Sequence, residues 1–238
     1  MQSNPDTSGA QKFLPPLAEL TPAAITEQIA RQAAAAEEQD GRGPAGNSRL
    51  TATTGVILLV LVALEGLTLV SLRPLLPAHV FIGMMLIPPI GLKLASTGYR
   101  FARYYTRDKA YVLAGPPQLL LRALGPFVIA ATVVLFGSGV ALIALGPGDG
   151  WIVNLHKASF IVWLGVTGVH VLGHVFHVPG LAAADYRAPR EKRAGAGLRR
   201  GAVAAALVLG LVLAIATVQY AAPWQPFIGE AHHGSSDG

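Results

Sequence analysis

Residues 52–72 read ATTGVILLVLVALEGLTLVSL, with one ionisable side chain, Glu65, in the whole run. A helix needs about 20 apolar residues to cross the hydrocarbon core of a bilayer. Four more runs of this kind follow: Ala78–Thr97, Gly125–Leu145, about Val153–Val178, and Gly201–Ala222. Apolar residues make up 52% of the chain and charged ones 13%, against about 25% charged in soluble domains. A membrane β-barrel would alternate in polarity over shorter segments. Backbone in lipid must satisfy its own hydrogen bonds, so these runs are predicted to be helices. The expected fold is an all-α integral membrane bundle of about five transmembrane helices.

The charges set an orientation. The formal net charge is +5, but its distribution argues against nucleic acid. Arg100, Arg103, Arg107, Lys109 and Arg122 fall in the connection after the second run, and Arg187, Arg190, Lys192, Arg193, Arg199 and Arg200 in that after the fourth. The other two connections carry only Arg73, and the tail after residue 222 carries no Lys or Arg. Basic loops stay cytoplasmic, which predicts a cytoplasmic N-terminus, an external C-terminus and a multi-pass place in a plasma membrane, the bacterial inner membrane being expected. Trp151 and Trp224 fall at the predicted outer boundaries, where aromatic belts form. Residues 1–50 hold no apolar signal-peptide core, so the first span is expected to direct insertion. They read as a polar cytoplasmic arm, partly helical or disordered, with a helix start at Thr21-Pro22. Residues 51–222 form the membrane domain and residues 223–238 a short external tail.

The chain has no cysteine, which excludes a thiolate-held iron–sulfur cluster, a Cys-x-x-Cys-His haem attachment and a thiol nucleophile. No nucleotide-binding glycine motif is present. Pro88-Pro89 should kink the second span. Gly83, Gly137, Gly139, Gly165, Gly168 and Gly173 offer smooth helix faces, which suit close helix packing or a flat ligand between helices.

Ionisable groups within spans are costly and therefore functional candidates. They are Glu65, His79, Lys93, His156, His170, His174 and His177. Five of the seven histidines lie in or beside the second and fourth spans. In the predicted topology both of those spans run inward, His79 opens one of them, and His156 lies about one turn into the other. Two imidazoles facing each other at one depth are what axial ligation of a haem requires, because the iron's other four bonds go to the porphyrin. His156 and His170 are 14 residues apart, roughly 40° short of four full turns and about 21 Å along one helix face. His174 follows one turn later on nearly the same face.

The helix Leu155-His156-Lys157-Ala158-Ser159-Phe160, continuing through Trp163, His170 and His174 with His79 opening an earlier helix, resembles the b-type cytochrome family. That family includes the membrane subunits of respiratory formate dehydrogenases and nickel-iron hydrogenases, and small bacterial di-haem cytochromes. The resemblance covers roughly residues 50–222. It implies an outer haem b between His79 and His156, with His170 on one side of an inner haem. The family's inner haem takes a second histidine from the cytoplasmic end of another span. The first span here begins Arg49-Leu50-Thr51-Ala52-Thr53-Thr54 and has none, nor do the third and fifth. One haem b is therefore the expectation, with two as the alternative.

Lys93 repeats the 14-residue interval after His79; it could ligate iron, touch a propionate or snorkel to the inner interface. His174 is a spare ligand, a propionate partner or a hydrogen-bonded packing residue. His177 reads as a packing residue near the inner boundary, and Glu65 as a packed neutral carboxyl or a proton-relay element. Arg73 and Lys157 flank the outer position as propionate partners or plain interfacial anchors. The expected role is an electron-transfer subunit of an oxidoreductase rather than a stand-alone enzyme, working with a quinone and with a redox protein or catalytic subunit. Two rivals stay open: a haem-free transporter or proton-coupled permease with Glu65, Lys93, His170 and His174 along a polar path, and a structural or assembly subunit whose histidines only pack.

Overall fold

The computed structural model describes residues 21–39, 43–115, 119–148, 150–173 and 195–230. The long elements are α1 (Pro22–Gln39), α2 (Gly43–Thr68), α3 (Leu72–Tyr105), α5 (Leu119–Leu145), α6 (Gly150–Leu172) and α7 (Ala196–Thr217). Two short helices, α4 (Lys109–Leu113) and α8 (Trp224–Glu230), complete the set, and no strand occurs among the described residues. Among the described residues, four helical stretches are long and apolar enough to cross a membrane: Gly43–Tyr105, Arg122–Leu145, Gly150–Leu172 and Ala196–Ala221. Their outward faces carry Val60, Leu64, Phe127, Val133, Ile161 and Leu209, all exposed. So much exposed apolar surface suits lipid rather than water. This is an all-α, multi-pass membrane protein.

The first stretch is a hairpin. Its 63 residues would extend about 94 Å as one straight helix, some three bilayer cores. It folds back at a 3₁₀ turn, Leu69–Ser71, where Ser71 leaves helical geometry at φ −144°, ψ 71°. Pro74 then lies in the first turn of α3, where a missing N–H costs nothing. At the far end Asn47 Nδ2 donates to the Ser96 carbonyl at 2.9 Å, Thr51 Oγ1 bonds Ser96 Oγ at 2.9 Å, and Arg100 donates to Ser48 Oγ at 3.2 Å. These polar pairs lengthen both helices beyond the apolar runs, so α2 begins at Gly43 rather than near residue 52 and α3 reaches Tyr105 rather than Thr97. The helix start at Thr21-Pro22 is observed, with Thr21 Oγ1 accepting from the Ala24 N–H at 3.3 Å.

Helix α7 packs along α3 through Ala206, Gly210 and Ala214, buried at four-residue spacing. The contact has a specific cause. Residue 89 is proline, so the Met85 carbonyl loses its usual i+4 donor. Gly210 sits on that carbonyl so closely that a Cβ would stand 2.4 Å from the oxygen. Only the hydrogens of a glycine Cα fit there, in the manner of a weak C–H···O contact.

Beyond α3, the chain forms a basic, aromatic corner. Asp108 caps α4, its Oδ1 accepting from the N–H groups of Ala110 (3.1 Å) and Tyr111 (3.4 Å), and it pairs with Arg103. The Arg103 guanidinium lies over the rings of Tyr99 and Tyr111. Burial first, then the neighbouring Tyr99, pushes the Tyr111 hydroxyl up to about 12.

Two helix groups result. In one, α3 packs between α2 and α7; in the other, α5 packs along α6. Helix α3 meets α5 over a short stretch only, and α6 does not pack along α3. A cluster of Leu76, Ala221 and Trp224, joined by Leu72, Val80, Leu142 and Val153, closes one end of the seam between the groups. Trp151 is 63% exposed, as a belt residue should be, but Trp224 is only 9% exposed. The turn Val218–Ala221 and α8 fold its ring back into the bundle, so its apolar area is buried against protein instead of resting at an interface. The expected tail after residue 222 therefore begins as a packed helix.

Candidate functional site

His79 lies two turns into α3 and His156 two turns into α6. Across the seam their ring centres are 6.4 Å apart, with the ring planes at 81°. The two histidines predicted to meet are thus brought together, next to the Leu76–Trp224 cluster: Val80 is the neighbour of His79, and Val153 lies one turn before His156.

Each ring is held through Nδ1. The His79 Nδ1 is 2.9 Å from Glu65 Oε1 and 3.0 Å from Thr68 Oγ1. Thr68 in turn donates to the Glu65 carbonyl at 2.6 Å. The His156 Nδ1 is 3.2 Å from the Leu135 carbonyl and 3.0 Å from Ser138 Oγ, which itself donates to Leu135 at 2.9 Å. The Thr68 and Ser138 hydroxyls spend their hydrogens on backbone carbonyls, so their oxygens accept from the rings; each Nδ1 therefore carries the proton and each Nε2 keeps its lone pair.

Two glycines make room for these clamps. A Cβ on Gly83 would stand 3.3 Å from Glu65 Oε1, and one on Gly139 would stand 3.1 Å from His156 Cε1. Below the site, Trp163 Nε1 donates to Thr132 Oγ1 at 3.0 Å, tying α6 to α5.

The geometry suits one particular chemistry. A metal–imidazole bond is about 2 Å and the ring centre lies about 1 Å further back, so two axial imidazoles on one metal put their centres roughly 6 Å apart. Two histidines are too few for a bare ion, and no group of three or more His, Cys, Asp or Glu among the described residues could hold one. They are the right number for an iron that brings four porphyrin nitrogens. Two imidazoles at this spacing, each with an unprotonated Nε2, fit a haem.

The other candidates scatter. Lys93 does not join the pair: its Nζ donates to the Thr51 carbonyl at 2.8 Å and fills the notch left by Gly55. That places the amine about 21 Å along α2 from Glu65. Arg73, in the first turn of α3, and Lys157, next to His156, are both exposed. His170 is half-buried in the last turn of α6. His174 and His177 lie outside the described residues, as does most of the second basic connection. Sequence reasoning named neither Thr68 nor Ser138 nor the Leu135 carbonyl. The Gly137-Ser138-Gly139 triplet, a small polar group between two glycines, was a signal for Ser138 alone.

Comparison with protein-family models, curated proteins and solved structures found no match for this chain.

Proposed function

We propose that the chain is a membrane b-type cytochrome that binds one haem b between His79 and His156 and carries electrons. The observation that supports this most strongly is the pair of imidazoles, 6.4 Å apart across a seam between helix groups and each anchored by Nδ1. Haem b, when bound, supplies a one-electron iron couple. The protein's part is to fix both rings, to hold the Nδ1 protons on Glu65 and on Leu135, and to exclude water with the Leu76, Ala221 and Trp224 cap. Arg73 and Lys157 stand near enough in sequence to serve the propionates. Donor and acceptor are a quinone or cytoplasmic-side partner and a redox protein or catalytic subunit on the outer side.

In this reading the hairpin counts as two crossings and the chain makes five, N-terminus inside and C-terminus outside, in a bacterial inner membrane. The basic connections at 99–124 and 179–200 are the support for that direction. The first, third and fifth spans carry no histidine that could ligate a second haem, so one haem is the reading, with His170 and His174 as helpers or packing groups. A permease path is disfavoured because Glu65 bonds His79 at one end of the hairpin and Lys93 bonds Thr51 at the other.

The test is spectroscopic. Protein purified from haem-replete cells should show a Soret band and sharp α and β bands after dithionite. His79→Ala and His156→Ala should each abolish them, and His170→Ala should leave them. Colourless wild-type protein contradicts the function; bands that survive both substitutions contradict the ligands.

A further inference from the structure

The two anchors are chemically unequal. His79 leans on a carboxyl, and His156 on a neutral carbonyl and a hydroxyl. We propose that Glu65, through the Nδ1–H of His79, is a positioning residue that lowers the reduction potential of the bound haem. This rests on the cytochrome reading.

A carboxyl group buried in an apolar helix, here in the last turn of α2 beside the hairpin turn, is expensive. Its Oε1 lies against the His79 nitrogen, and its Oε2 is buried with no hydrogen-bond partner among the described residues. The surroundings favour that single contact. Gly83 leaves the space that Oε1 occupies, and Thr68 braces the same nitrogen at 3.0 Å. In its ionised form this carboxyl would be a stronger acceptor than an amide or a backbone carbonyl. Accepting the Nδ1–H draws the proton away from the ring and makes the far nitrogen a stronger donor to metal. A stronger imidazole donor stabilises ferric iron over ferrous, and partners of this kind are among the protein's means of setting a haem potential. The neutral Leu135 carbonyl and Ser138 hydroxyl give His156 a weaker push.

The measurement is redox potentiometry of the purified holoprotein, with haem content read in the same samples. Glu65→Gln is expected to keep haem and to raise the midpoint potential. Glu65→Asp, which keeps the carboxyl, should shift it less. An unchanged potential in haem-loaded Glu65→Gln overturns the proposal, as does a larger shift in Glu65→Asp. If Glu65→Gln loses haem and Glu65→Asp retains it, the potential of Glu65→Asp decides: a raised value supports the proposal and an unchanged one overturns it. If both lose haem, Glu65 is a structural residue and the tuning role falls. Wild-type protein without haem removes the cytochrome reading itself, a result distinct from all of these.

Discussion

The imidazole of His156 rests on the bare face of Gly139, where a Cβ would come within 3.1 Å of Cε1. Gly139 belongs to α5 and His156 to α6, so the fit decides how near the ring can lie to its own helix group and how much of the seam stays open for a ligand. Gly139→Val adds two methyl groups in front of the methyl that is already tight. Overpacking of this kind costs about 1–3 kcal/mol, and here it would push the ring towards His79. The expected result is a loss of most of the bound haem at unchanged expression, read by the Soret absorbance per protein. Full haem content in Gly139→Val would show that the contact is slack.

Gly210 tests the fold apart from the site. Its would-be Cβ meets backbone, the Met85 carbonyl, at 2.4 Å, and backbone cannot rotate away. Gly210→Ala should separate α3 from α7 and lower stability by about 1–3 kcal/mol, measured as an earlier thermal transition in detergent. Glycine 66, whose Cβ would meet nothing within 4 Å, is the control, and Gly66→Ala should be neutral or slightly stabilising through helix propensity.

Lys93 was a candidate ligand on spacing alone. Its amine donates to Thr51 instead. Lys93→Met removes the donor and retains the length of the side chain, and the Thr51 carbonyl keeps its helical partner. The reduced spectrum should be that of wild type, with a stability change within about 1 kcal/mol. A changed ligand-field spectrum would return Lys93 to the iron.

The ring planes of His79 and His156 are close to perpendicular, at 81°. Held at that angle on a bound haem iron, the two imidazoles would treat its π-symmetry orbitals nearly equally. The oxidised protein should therefore give a strongly anisotropic low-spin electron paramagnetic resonance signal with one dominant low-field feature. A rhombic three-line spectrum would mean that the planes are close to parallel when haem is bound.

How much of this could be read from the sequence divides by the kind of force involved. The apolar runs were legible because lipid imposes a length and a composition on each helix separately. The helix ends were not, because Asn47, Ser48, Thr51, Ser96 and Arg100 become helical by bonding each other across a hairpin. The meeting of His79 and His156 could be read from depth. Their anchors could not: a backbone carbonyl such as that of Leu135 has no sequence signature, and Glu65 acquires its meaning only when α2 and α3 fold together. Trp224 shows the opposite error, a residue assigned by an interface rule that the chain fold instead buries.

The central claim is that this chain holds one haem between two named imidazoles, and the haem-to-protein ratio measures it most directly. Pyridine haemochrome analysis of protein purified from haem-replete cells should give one haem b per chain, falling to near zero in both His79→Ala and His156→Ala. A ratio near zero in the wild type would contradict the account, leaving a helical membrane protein with two histidines that merely pack.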